Sequence, residues 1–162
     1  MPLVIIGDDP MAPVSRPGAH LRLVLNSYEK LLGRLLMDLP AGAELQAALD
    51  EAPFCLVSHD TSADPVFNYA NRQALRLFDM SLAEFTALPS RYSAQPLHRD
   101  ERARFLRQVS EAGFVTGYQG IRISSRGQRF RIEDGTVWNC FDDQGRAYGQ
   151  AACFSRWTTL SD

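Results

Sequence analysis

Three histidines and three cysteines have the widest chemical repertoire in this 162-residue chain, and their spacing points away from catalysis. His20, His59 and His98 are too scattered to suggest a metal site, and a lone histidine most often serves as a hydrogen-bonded or surface group. Cys55, Cys140 and Cys153 each sit inside an apolar, strand-like run, with no CxxC or mixed Cys/His metal spacing. That pattern argues against a disulfide framework and for a reducing compartment. Cys55 or Cys140 could be paired with His59 as nucleophile and base, but no base stands at an informative spacing. A thiol packed in a strand behaves as a small hydrophobe. No catalytic residue and no metal ligand is therefore assigned.

Two other patterns have plain readings. Gly113, Gly117 and Gly120 match neither GxGxxG nor GxxxxGK[ST], so turn and bulge roles suffice for them. Arg122, Arg126, Arg129 and Arg131 cluster on one hairpin and could hold an anionic ligand or partner, but a solvated outer sheet face is preferred. A net charge of -2 lacks the electrostatic footprint of a free-standing nucleic-acid binder, so no direct nucleic-acid contact is expected. Hydrophobic content of 45% and charged content of 22% are ordinary for one globular domain that needs neither disulfide nor metal to hold a core.

The elements that would position such side chains are organised around Pro65 to Phe85. Val66 to Ala70 reads as a strand after a proline. Asn71 stands where it can cap Gln73 or Ala74, and Ala74, Leu75, Leu77 and Phe78 give a short helix its apolar face. Ser81 and Glu84 form a capping-box pattern that opens a further turn. Upstream, residues 1–17 hold Pro2, Pro10, Pro13 and Pro17 and predict a flexible arm. The four-residue apolar run in MPLVIIGDDPM predicts neither a signal peptide nor a membrane span, and cytoplasmic placement is the default. Residues 18–51 form a helical extension. His20 to Leu39 carries an apolar stripe stopped by Pro40 and Gly42, and Ala43 to Glu51 forms a second helix. The stripe fits either a helix packed on its own sheet or a dimer helix through Leu21, Leu25, Tyr28, Leu32 and Leu35. Downstream come a first strand at Phe54 to His59 and a helix over Arg102 to Ala112. An antiparallel meander follows, over Tyr118 to Ile123, Gln128 to Phe141 with a bend at Asp134-Gly135, and Arg146 to Leu160.

Strand, Tyr69-Ala70-Asn71, short leucine-rich helix, then Met80-Ser81-x-x-Glu84-Phe85 resembles the early core of PAS domains. It is closer still to the MEKHLA family, a PAS-like module found in bacterial proteins and at the end of plant homeodomain leucine-zipper proteins. The likeness continues through Leu88-Pro89-Ser90-Arg91-Tyr92, His98-Arg99-Asp100-Glu101-Arg102 and Val137-Trp138-Asn139, roughly the last two thirds of the chain.

This resemblance implies an α+β, PAS-like fold over residues 52–162: a five-stranded antiparallel sheet with short helices on one face. It also implies a cavity on the concave face, for which Tyr69, Asn71, Phe78, Phe85, Phe105, Tyr118, Trp138, Asn139 and Gln150 are candidate linings. In haem-binding relatives an axial histidine lies near His98. However, His98-Arg99-Asp100 also looks like a His-Pro-Asp-Asp turn, in which Asp100 caps the next helix. The Asn-Cys-Arg-Phe-Leu-Gln motif of flavin photochemistry is missing, so that chemistry is not carried over, and no cofactor is named. The expected function is a sensory or regulatory module that binds a small, largely apolar ligand and signals through a homodimer to an unknown effector protein, without a membrane. The alternatives are an interaction module with a filled core and, third, a small enzyme using the cavity.

Overall fold

The computed structural model describes residues 18–38, 43–94 and 99–161. The arm at 1–17, Leu39, the stop at Pro40 and Gly42, and His98 lie outside the described residues. The element order is α1 (Ala19–Leu32), α2 (Ala43–Asp50), β1 (Cys55–His59), β2 (Phe67–Ala70), α3 (Arg72–Phe78), α4 (Leu82–Phe85), a 3-10 turn (Ser90–Ser93) and α5 (Arg99–Ala112). Four strands close the chain: β3 (Phe114–Ile123), β4 (Arg129–Phe141), β5 (Ala147–Phe154) and β6 (Arg156–Thr159).

Every pairing in the sheet is antiparallel, in the order β2-β1-β5-β4-β3, and β6 also pairs with β4. Trp138 faces Ala151 and Ile132 faces Trp157, one unbroken register, so β5 and β6 amount to one strand interrupted at Ser155. The expected five-stranded sheet is present with its last strand broken. Local signals set the entries to the small helices. Asn71 is extended and accepts from Ala74 N at 3.2 Å. Ser81 and Glu84 complete a reciprocal capping box.

One expectation needs correcting. The apolar stripe does not run as one helix to Leu39, because α1 ends at Gly33, whose φ of 73° is a left-handed cap that donates to Glu29 O at 2.8 Å. The short helices lie on one sheet face, as expected, and the N-terminal helical extension takes the other. Leu21, Val24 and Tyr28 are buried with Leu45, Leu49, Leu56, Tyr69 and Trp138, so α1 and α2 cover the outer face. A separate core of Val57, Phe67, Phe78, Phe85, Phe130, Ile132 and Phe154 lies on the inner face, with Phe105 of α5 packed against it. Leu21 and Tyr28 are core, Leu25 and Leu32 are half-buried, and Leu35 is exposed but beyond the helix end.

Candidate functional site

The inner face holds a cavity of about 70 Å³. Strand alternation supplies its floor: Val57 of β1, Ile132 and Val137 of β4, and Ala152 and Phe154 of β5. Phe67 and Phe78 wall one side. Phe105 and Leu106 of α5 form the roof, the Phe105 ring lying 4.1 Å from that of Tyr118. A few polar groups break the apolar lining: Ser58, His59, Ser90, Ser93, Tyr118, Arg122 and Gln150.

Their connections are specific. Arg122 pairs with inward-facing Phe130, so it lies on the inner face and not on the outer one with Arg129 and Arg131. This corrects the solvated-cluster reading for Arg122. Its guanidinium donates to the Tyr118 hydroxyl and, at 3.0 Å, to Ile121 O. Gly120 makes this possible, because a side-chain carbon there would collide with the Tyr118 hydroxyl. Gln150 donates to Asn139 Oδ1 at 2.9 Å, and Asn139 donates to Val109 O of α5 at 2.9 Å, which ties the cavity wall to the roof helix. His59 Nδ1 is 2.8 Å from Asp60 O; a carbonyl can only accept, so that nitrogen carries the proton. An open groove of about 760 Å³ between α5 and the β1–β2 and β4–β5 turns shares His59, Leu106 and Gln150 with the cavity and forms its mouth.

Of the expected lining residues, Phe78, Phe105, Tyr118 and Gln150 meet in the cavity, and Asn139 lies in the groove at its mouth. Four do not line it. Phe85 stacks on Phe67 at 4.0 Å within the core behind the cavity. Trp138 points outward and donates to Val24 O at 3.0 Å. Asn71 spends its side chain on structure, accepting from Leu56 N and Ala74 N and donating to Leu49 O and Phe54 O. Tyr69 also lies on the outer face and donates to Asp50 at 2.6 Å. The cause is a bulge: Ser58 pairs with Tyr69 but His59 pairs with Phe67, so Asn68 is an extra residue and the alternation resets.

Ser90, Ser93 and Arg122 were missed as lining. Arg122 was the legible one, since it alternates with Ile121 and Ile123 opposite Phe130. Asp100 falls inside the first turn of α5, which begins at Arg99, so it is not the residue preceding the helix; its carboxylate there still complements the positive helix end.

Behind β1 and β5, on the outer face, a second polar chain runs from Tyr148 through His20 and Ser58 to Asn68. Tyr148 Oη is 2.7 Å from His20 Nδ1, His20 Nε2 is 2.9 Å from Ser58 Oγ, and Ser58 donates to Asn68 Oδ1 at 2.5 Å. Ser58 spends its proton on Asn68, so it accepts from His20 Nε2, and Nδ1 accepts from Tyr148. Burial lowers the His20 pKa to about 4. Burial likewise pushes the Cys55 and Cys153 thiols up to about 12 and Cys140 upward too, so none supplies a ready thiolate. Among the described residues no cluster of His, Cys, Asp and Glu could hold a metal ion, and no helix is long and apolar enough to cross a membrane.

Solved structures share this architecture. A PAS domain of a protein from Colwellia psychrerythraea superposes with a TM-score of 0.59 at 15% identity, covering 70% of this chain and 92% of that one. A light-oxygen-voltage domain studied with a flavin analogue gives 0.57 at 21% identity, covering 73% and 85% respectively. At these identities the likeness is one of fold. No curated protein matches the sequence. The MEKHLA domain model matches residues 18–159, taking in α1 and α2, which cover the outer face, as well as the strands and helices around the cavity. With a PAS-like sheet, the Asn71 and Ser81 caps and a match along nearly its whole length, the chain belongs to the MEKHLA domain family.

Proposed function

We propose that this chain is a regulatory module of the PAS type, which binds a small, largely apolar ligand in the inner cavity and passes occupancy through the sheet to α1. The observation that carries the reading is the half-open space between the sheet and α5, lined by aromatic and aliphatic side chains with a few convergent polar groups. A route outward exists as well. Gln150 and Ala152 of β5 line the cavity, while Tyr148 of the same strand holds His20 of α1. A shift of β5 on filling the cavity would therefore move a buried contact of α1. Output to an effector protein, and the homodimer expected from the sequence, belong to this proposal. A dimer face would have to use what α1 leaves outside: half-buried Leu25 and Leu32, and exposed Leu35 beyond its end.

The size of the cavity favours a second reading. At about 70 Å³ it is roughly half the ~150 Å³ that admits benzene in an engineered apolar cavity, so water or packing fluctuation could fill it and the module would act through protein contacts alone. Native mass spectrometry of the purified chain, with thermal melts in benzene, indole and 1-butanol, separates the two. A co-purified mass, or saturable stabilisation by one probe that Ala152→Phe abolishes, supports ligand binding. A clean apo mass with no probe raising Tm, and an Ala152→Phe chain that melts well below the parent because the space is already filled, supports the interaction module. Light scattering with and without the stabilising probe reads the oligomeric response.

A further inference from the structure

We propose that Arg122 and Tyr118 form an anion-reading end of the inner cavity, and that its ligand is a short-chain monocarboxylate of the butyrate class; this rests on the reading that the cavity holds a ligand. The argument begins with charge. Among the described residues Arg72, Arg91, Arg126, Arg131, Arg146 and Arg156 each sit against a carboxylate. Arg122 is in none of these pairs. It is half-buried on the inner face, and its acceptors are neutral: the Tyr118 hydroxyl and its neighbour's carbonyl, Ile121 O. A guanidinium has five N–H donors in a planar fork that suits a carboxylate, so most of that capacity remains available.

The phenol completes the pair. Tyr118 is 7% exposed and its oxygen accepts from Arg122, so its own proton is free to be donated to a second oxygen. Gly120 between them keeps the inner face open so that the two side chains meet across one missing side chain. No Asp or Glu lines the cavity among the described residues, so nothing there competes for the cation. Beyond this polar end the walls are Phe67, Phe78, Ile132, Val137 and Phe154, which suit a hydrocarbon tail. The volume of about 70 Å³ keeps that tail short, and a ligand of six heavy atoms would also take up space toward the groove that shares His59, Leu106 and Gln150 with the cavity.

Calorimetric titration of the full chain with butyrate, butyramide and 1-butanol tests the assignment. The expected result is saturable binding of butyrate, with butyramide weaker by roughly tenfold or more, the scale of a charge-assisted hydrogen bond. Arg122→Gln should weaken butyrate by a similar factor and leave 1-butanol unchanged; Tyr118→Phe should weaken butyrate less. Arg122→Lys keeps the charge without the fork and should fall between parent and Arg122→Gln, with thermal melts showing which variants fold. Butanol binding as tightly as butyrate would overturn the anion reading and leave the cavity reading standing. Butyrate binding unchanged in Arg122→Gln would place the anion on the surface and overturn the assignment. Failure of all three probes to bind would remove both readings.

Discussion

The two faces of this sheet use alternate residues of the same strands, yet they have been put to different uses. On the outer face Leu21, Leu49, Leu56 and Trp138 expose none of their surface, and Tyr28 meets Trp138 edge-on at 4.8 Å. On the inner face the packing is equally close beneath α3 and α4, where Phe67, Phe78, Phe85 and Phe130 form one aromatic cluster. It opens where α5 crosses. That helix, RDERARFLRQVSEA, offers only Phe105, Leu106 and Val109 as large apolar side chains, too few to fill the concavity. The contrast teaches that stability resides mainly in α1, β4 and the aromatic cluster, and that the space under α5 is where the fold can exchange packing for binding.

Truncating the centre of the outer face gives the largest predicted effect. Trp138→Ala removes a fully buried indole and its hydrogen bond to Val24 O, and should cost about 3–5 kcal/mol in urea unfolding. A cost near 1 kcal/mol would mean that α1 is not a closed layer and would dissolve the contrast between the faces. Next is the residue that ties the layers together. Asn71 Oδ1 accepts from β1 and α3, while its Nδ2 donates to Leu49 O of α2 and Phe54 O. Asn71→Ala strands these buried groups and should cost roughly 2–4 kcal/mol. An unchanged urea midpoint would show that water replaces the side chain.

A third prediction concerns pH. Folding lowers the His20 pKa from 6.5 to about 4 because burial penalises the imidazolium. Below pH 6.5 the unfolded chain therefore binds a proton that the folded chain refuses, and stability falls as pH drops from 6.5 toward 4. The loss approaches about 3 kcal/mol at the lower end. The groups facing His20 are Tyr148, Ser58 and the Tyr69 ring, and burial holds Tyr148 neutral, up at about 12, so no neighbouring charge offsets the effect. Asp60 and Asp142 are held below the usual 3.8 and lose their contributions only at lower pH. Urea midpoints between pH 7 and 4.5 should slope in the parent and flatten in His20→Gln. Parallel slopes would assign the proton uptake elsewhere.

Much of this architecture was legible because its signals are local. Asn71 before an apolar helical face, and Ser81 three residues before Glu84, specify helix starts through their own side chains. The strands announced themselves through alternation, which set out the α+β order, while the five-stranded sheet was what the resemblance to PAS domains implied. Alternation failed at the site because both faces are covered. An apolar residue then says that it is buried without saying on which side, so Trp138 and Tyr69 were assigned to the wrong face. The Asn68 bulge compounded this, because one inserted residue reverses the sense of everything after it and no residue type marks it. Gly33 was overlooked as a helix stop because the leucines beyond it continue the spacing. Arg122 was read with its neighbouring arginines when its register opposite Phe130 set it apart.

The smallest predicted effect isolates the contrast most directly, because it uses adjacent residues of one strand. Ala151 packs in the outer core and faces Ser58 and fully buried Trp138 across the sheet, whereas Ala152 packs on the inner core and faces Val57 and Val137, which belong to that core. Adding the same two methyl groups at either site changes strand propensity equally, so the difference reports packing alone. Ala151→Val forces extra volume into a filled layer and should cost about 1–3 kcal/mol. Ala152→Val enters open space and should leave stability within about 1 kcal/mol of the parent, while lowering the affinity of any probe that the cavity admits. Equal costs at the two positions would mean that the inner space is not available to a side chain, and by the same reasoning not to a ligand.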